Sequence, residues 1–192
     1  MRPFCSVCRY PQKTCVCSAV TQICTPVQFL IIQHEKEAIH AKNTAKLVQL
    51  CLPDTPILSA GADEAEMAVA DALNNAGSPA VIYPSPESTS LEKTPQSGTH
   101  DLFILLDGSW RQAYGLWQRF TQLHPLPQYH FSHAGPSDYR IRHTRSESGL
   151  STLEAVAHVM KVTTETDPAP LYRLQQFMQA QWQGPAAHRR RK

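Results

Sequence analysis

Two groups of residues have the types and spacing to do chemistry. The first is Cys5, Cys8, Cys15 and Cys17, a Cys-x-x-Cys followed shortly by a Cys-x-Cys in the segment CSVCRYPQKTCVC. Four thiolates are the number a closed tetrahedral zinc site needs, and they leave no open position for catalysis, so a structural zinc is expected. Disulfides would be unusual in a cytoplasmic protein. A redox Cys-x-x-Cys does not suit a segment crowded with two further thiols and preceded by no strand. Cys24 and Cys51 sit among apolar neighbours and read as small core residues.

The second group is centred on Asp107, which closes the apolar run Leu102-Phe103-Ile104-Leu105-Leu106 and is followed by Gly108, Ser109 and Trp110. A continuous apolar run bounded by turn chemistry suits a strand buried on both faces, as in a parallel sheet. Helical periodicity then begins at Trp110 and continues through Ala113, Tyr114 and Trp117. Ser109, with Gln112 three residues on, has the spacing of a capping box. A carboxylate thus sits at the carboxyl end of a central strand beside a helix start with free N–H groups. That is where α/β sheets place their ligands. An isolated Asp-Gly can also do no more than cap or turn the chain.

The elements that must position these residues can be read along the chain. Val27 to Ile32 is a first strand, with His34 and Glu35 at its carboxyl end. A helix follows to about Leu50, turning Leu47, Val48 and Cys51 inward, with Asn43 as an N-cap or a kink. Thr55 to Ser59 is a short strand, Gly61 leads into an acidic helix ending near Gly77, and Ala80 to Tyr83 is a strand stopped by Pro84. The Ser-, Thr- and Pro-rich stretch from Ser85 to Gly98 reads as a mobile loop of the kind that serves as a lid. Gln128 to Phe131 and Tyr139 to Ile141 are brief strand candidates around the turn His133-Ala134-Gly135-Pro136. Ser151 and Glu154 form a second capping box opening an apolar helix through Val162, and a last helix runs from Pro168 to Trp182. Strands alternating with helices predict an α/β fold with a mostly parallel sheet flanked by helices. The expected organisation is a zinc-binding module over 1–24, an α/β domain over 25–184, which the resemblance given below makes the catalytic one, and a basic tail over 185–192.

With 192 residues and 42% hydrophobic content, the chain can bury a real core. A net charge of +2 with nine histidines does not by itself mark a nucleic-acid binder. Basic residues do gather at Arg140, Arg142, His143 and Arg145, and in the closing His188-Arg189-Arg190-Arg191-Lys192. Such patches can hold a phosphate backbone, although a terminal run can equally be a solvated tail. No apolar run approaches bilayer length and no apolar stretch follows Arg2, so a cytoplasmic protein without a membrane partner is expected. The absence of a Gly-x-Gly-x-x-Gly or a P-loop removes the usual phosphate cradles of dinucleotide and nucleoside triphosphate enzymes.

Asp107-Gly108-Ser109-Trp110, continued by Arg111-Gln112-Ala113, resembles the Asp-x-Thr-Trp signature of the DTW-domain family, with serine keeping the hydroxyl that a cap needs. The cysteine cluster, His34 to Leu47 with Asn43-Thr44-Ala45, and Leu150-Ser151-Thr152-Leu153-Glu154-Ala155 fit the same family in the same order. The resemblance implies a SPOUT-like core with a C-terminal trefoil knot, and a cofactor cleft built from loops near 83–86, 107–110 and 130–152. It implies S-adenosylmethionine as co-substrate, held by Tyr83, Pro84, Ser85, Asp107, Gly108, Ser109, Trp110, Leu150, Ser151, Thr152 and Glu154. The implied reaction transfers the 3-amino-3-carboxypropyl group to N3 of a tRNA uridine and releases methylthioadenosine. Uridine N3 must lose its proton, which makes Asp107 the candidate general base. Trp110 would hold the cofactor, stack on a flipped base, or be a core tryptophan. Lys42, Arg111, Arg140, Arg142 and Arg145 are candidate contacts to tRNA phosphates. Two other expectations compete: a SPOUT-like RNA methyltransferase, and a non-enzymatic zinc-knuckle RNA-binding protein.

Overall fold

The computed structural model describes residues 3–40, 42–94, 99–141 and 149–182. Among them, six strands form one sheet: β1 (Gln28–Gln33), β2 (Ile57–Ser59), β3 (Pro79–Ile82), β4 (Thr89–Ser90), β5 (Leu102–Asp107) and β6 (Gln128–His130). Their order is β2-β1-β5-β3-β6-β4 and every pairing is parallel, so all the carboxyl ends lie at one edge of the sheet. The helices are α1 (Glu35–Ala38), α2 (Ala45–Cys51), α3 (Ala65–Asn75), α4 (Trp110–Arg119), α5 (Thr152–Thr163) and α6 (Ala169–Ala180).

Successive residues on a strand face opposite sides, and here each side has its own core. Phe29, Ile31, Ala80, Phe103 and Leu105 pack with residues of α2, α5 and α6. Leu30, Ile32, Val81 and Ile104 pack with residues of α3 and α4 and with Phe120 and Leu123. This two-sided burial is why the β1 and β5 sequences are unbroken apolar runs rather than alternating ones. Each fully buried Leu, Ile or Phe contributes roughly 1.5–3 kcal/mol relative to exposure. Phe29, Leu30, Ile104 and Phe120 are all at that limit. At the opposite edge Asp101 accepts N–H groups from Gly77 (2.6 Å) and Ser78 (2.8 Å), which aligns the starts of β3 and β5.

The helix expected to run to about Leu50 is two helices, and the break falls at Asn43, the residue read as an N-cap or a kink. Asn43 is buried; it donates to the carbonyl of Glu37 at 3.1 Å and accepts the N–H of Lys46 at 3.3 Å, so its side chain takes both hydrogen-bonding roles at the break. The stretch expected as a mobile loop between Ser85 and Gly98 contains β4 and a helical turn at 91–93, with Leu91 fully buried. Polar composition hid that anchor, and residues 95–98 lie outside the described residues. Tyr139 to Ile141 is not a strand; both Tyr139 and Ile141 are buried as plugs, and Tyr139 Oη donates to the carbonyl of Lys42 at 2.6 Å. Cys51 is buried as expected, whereas Cys24 is exposed. The chain implicated in the expected knot includes 142–148, which lie outside the described residues. No helix among the described residues is long and apolar enough to cross a membrane.

Candidate active site and metal centre

Backbone turns close the cysteine segment before any metal is considered. The N–H of Cys5 donates to the carbonyl of Tyr10 (2.8 Å), that of Arg9 to the carbonyl of Cys5 (3.1 Å), and Arg9 adopts a left-handed φ of 60°. The sulfurs of Cys5, Cys8, Cys15 and Cys17 all lie within 4.8 Å of one another. Two Sγ pairs, Cys5–Cys17 and Cys8–Cys15, are 3.7 Å apart. A tetrahedron with zinc–sulfur bonds of about 2.3 Å has edges of about 3.8 Å, so these spacings fit a four-thiolate metal site. The N–H groups of Cys8 and Val7 bring the Cys5 thiol down to about 6, whereas burial and the neighbouring cysteines push Cys17 up to about 12. Such a crowded set favours thiolates together only with a cation among them. Cys8, Tyr10 and Val16 belong to the core shared with α2, α5 and α6. Tyr10 Oη donates to the carbonyl of Asn43 (2.8 Å), and Gln181 Nε2 to that of Cys15 (3.3 Å).

Asp107 is buried at the end of β5. Register places it directly beside Gln33 of β1, whose Nε2 donates to Oδ2 at 2.6 Å. Thr152, the first residue of α5, donates its hydroxyl to Oδ1. The carboxylate thus joins three elements through neutral donors only. Both expected capping boxes are present. Ser109 Oγ accepts the N–H of Gln112 (3.4 Å) while Gln112 Oε1 accepts the N–H of Ser109 (2.6 Å). Ser151 Oγ accepts the N–H of Glu154 (3.2 Å) while Glu154 Oε2 accepts the N–H of Ser151 (2.7 Å). Gly108 lies where a Cβ would come within 2.8 Å of the Gln112 Cβ, so the tight entry to α4 needs its missing side chain.

Glu154 does more than cap. Its carboxylate also accepts the Ser137 hydroxyl (2.7 Å), the N–H of Asp138 (2.7 Å) and Gln175 Nε2 (3.1 Å). It therefore pins the 137–138 loop to the start of α5. Glu154→Gln replaces one of its two acceptor oxygens with an NH2 facing donors, leaving a buried N–H unpaired. A loss of about 1–3 kcal/mol is expected, read as a lower melting temperature. A variant that melts like the natural protein would show that the loop does not depend on this carboxylate.

Glu92 plays the corresponding part on the next loop. Its carboxylate accepts N–H groups from Ser132 (3.1 Å) and His133 (3.0 Å) and the Ser90 hydroxyl (2.8 Å), and it meets His158 Nε2 at 2.9 Å. An ionised carboxylate only accepts, so Nε2 carries a proton. Burial alone would raise Glu92, but the N–H groups of His133 and Ser132, with His158, outweigh it and hold the carboxyl well below the ordinary glutamate range. A depressed folded value stabilises the loop above about pH 4.5 and ceases to do so as pH falls through the folded value. Protection of the Ser132 and His133 amides in hydrogen exchange is expected to fall below pH 4.5 in the natural protein. In Glu92→Gln it should be weak at every pH; equal protection in both proteins would remove Glu92 from this role.

The sheet edge brings together the turns after β3 and β5 and the start of α5. Tyr83 stacks on Trp117 of α4 at 4.7 Å, and its hydroxyl is raised first by burial and then by nearby Tyr114. Pro84 is exposed and Ser85 donates its hydroxyl to Gln128 Oε1. Leu150 is half-buried. Trp110 is 56% exposed, which removes the reading of it as a core tryptophan; Trp117 is the buried one. Lys42 donates to the carbonyl of Ile141 and lies 4.8 Å from the Trp182 ring centre, so its ammonium already has protein partners. Arg111 is exposed, and Arg140 is exposed but paired with Asp138 at 2.6 Å. Arg142, Arg145 and the 189–192 tail lie outside the described residues. Sequence reasoning missed Gln33 and Glu92. Gln33, the polar residue ending an apolar strand, carried the clearest signal.

A parallel α/β sheet with a buried carboxylate and two capped helix starts at its carboxyl edge, together with a four-cysteine cluster, describes an α/β protein with a candidate ligand site at the sheet edge and a segment that could hold a metal ion. The DTW-domain family model matches residues 2–183, and the chain belongs to that family. It is 31% identical over 164 residues to tRNA-uridine aminocarboxypropyltransferase 2 of Drosophila melanogaster, covering 82% of this chain and 65% of that protein. It is 29% identical over 169 residues to the Mus musculus protein of the same name, covering 84% of this chain and 56% of that protein. The chain therefore spans less than two thirds of the length of either relative. No solved structure gives a significant match.

Proposed function

We propose that the protein modifies tRNA, transferring the 3-amino-3-carboxypropyl group of S-adenosylmethionine to N3 of a uridine. The observation that carries this reading is the Asp107 carboxylate, buried at the carboxyl end of the central strand and bonded to Gln33 and Thr152. The names of the relatives supply the reaction class. In the reading, Asp107 takes the N3 proton while N3 attacks the propyl carbon bound to sulfur. The new N–C bond forms as the S–C bond breaks, and its electron pair stays on sulfur in methylthioadenosine. In-line placement of carbon and nitrogen about 3–3.5 Å apart supplies much of the acceleration. The turns at 83–85, 107–110 and 150–154 would hold the co-substrate, and exposed Trp110 would stack on it or on the extruded base.

The four cysteines are proposed to hold one structural zinc. Arg111 and Arg140, with Arg142, Arg145 and the basic tail, are proposed to contact tRNA phosphates. The test is to incubate the full chain with unmodified tRNA and S-adenosylmethionine and to weigh the nucleosides. Uridine gaining the aminocarboxypropyl mass with methylthioadenosine released supports the reading. A methyl mass with S-adenosylhomocysteine makes it a methyltransferase, and no gain in mass with tRNA still bound makes it an adaptor.

A further inference from the structure

We infer that the cleft beside α4 is a second site, which seats a nucleotide of bound RNA through its backbone phosphate. The inference rests on the proposal that tRNA is the substrate. The cleft holds about 700 Å³ and lies between the carboxyl ends of β1 and β2 and one side of α4. That volume is in the range of small-ligand sites. Ser109, the N-cap of α4 and two residues along the chain from Asp107, lines it.

The chemistry of the walls is mixed but leans cationic. Lys36 and Arg111 are both exposed and make no ion pair among the described residues. Arg119 is already committed to Glu66 at 2.6 Å and to the carbonyl of Ala60, so it fixes the wall in place. His34 Nδ1 accepts the N–H of Lys36 at 3.2 Å, which leaves the proton of the neutral ring on Nε2 as a donor. Glu35 is the one acidic side chain lining the space. An arginine fork and an ammonium are the groups that recognise a phosphate diester.

Gly115 is a second, independent observation. It sits inside α4, where glycine costs about 1 kcal/mol relative to alanine. Its backbone is not left-handed, and a Cβ there would meet nothing within 4 Å. Neither backbone geometry nor crowding within the protein requires glycine. It lies one helical turn from Arg111 and one from Arg119 on the wall of the cleft, so its missing side chain keeps room between them for something from outside.

The test measures binding of unmodified tRNA across a salt series for the full chain and for Gly115→Glu and Arg111→Gln, with S-adenosylmethionine binding and melting followed in parallel. Gly115→Glu adds a carboxylate in open space and should weaken tRNA binding about tenfold or more. Arg111→Gln should flatten the salt dependence by about one unit of slope, the signature of one lost phosphate contact. Both variants should melt like the natural protein and keep its affinity for S-adenosylmethionine. Natural affinity and slope in both variants would overturn the site while leaving the proposed reaction standing. A natural chain that binds S-adenosylmethionine but no tRNA would overturn the site and the choice of substrate together. A lower melting temperature in Gly115→Glu with natural tRNA binding in Arg111→Gln would also count against the site.

Discussion

Replacing Asp107 with asparagine is expected to slow group transfer about 100-fold or more, with affinity for S-adenosylmethionine and overall stability largely kept. The surroundings make this substitution unusually clean. Asparagine Oδ1 can take the Gln33 donor, and its NH2 can donate to the Thr152 hydroxyl, which turns to accept. The bridge between β1, β5 and α5 therefore survives while the proposed base is lost. Single-turnover rates with saturating S-adenosylmethionine and tRNA, alongside melting curves, separate the outcomes. A natural rate would make Asp107 a structural bridge and move the base elsewhere. A collapse in affinity for S-adenosylmethionine would assign it to binding.

Stripping the proposed zinc is expected to have the largest effect on stability. Structural zinc in small peptides is worth about 10–16 kcal/mol at neutral pH. Here a core already exists, so the loss should be smaller, but it reaches beyond the cysteine segment. Cys8 is only 2% exposed and packs with Tyr10 and Val16 in the core that includes α5 and α6. Loosening the segment would release the Tyr10 bond to Asn43 and the Gln181 bond to Cys15. A chelator, or Cys8→Ser, should lower the melting temperature by roughly 10 °C, since a loss of several kcal/mol shifts a chain of this size by about 2–4 °C per kcal/mol. Metal analysis should give one zinc per chain. Zinc-free protein with four reactive thiols and a natural melting temperature would refute the assignment.

What could be read from the sequence was local. The β5 run, its Asp-Gly ending and the two capping boxes declare themselves within a few residues, and so does the cysteine spacing. What could not be read depends on partners far along the chain. Gln33 stands 74 residues before the Asp107 it meets, and Glu92 stands 66 before His158. The break after α1 was legible in part: Asn43 reads as an N-cap or a kink and does accept the N–H of Lys46, whereas its bond from Tyr10, 33 residues earlier, could not be read locally. Glu92 shows the same limit from another side, because a loop rich in Ser, Thr and Pro conceals one carboxylate that ties it to α5.

The strand order has a consequence for how the chain comes to be folded. β5 lies between β1 and β3, and its residues are made after both. Until Leu102–Asp107 has left the ribosome, β1 and β3 each present an apolar edge with no neighbour on that side. Synthesis proceeds at about 5–20 residues per second, so the wait lasts seconds, long enough for pairing with the wrong chain. Folding must then close contacts between residues far apart in sequence, which is slow. A nascent chain ending before residue 102 is therefore expected to need a chaperone, and the last strand to reach the middle of the sheet is also the one that delivers Asp107.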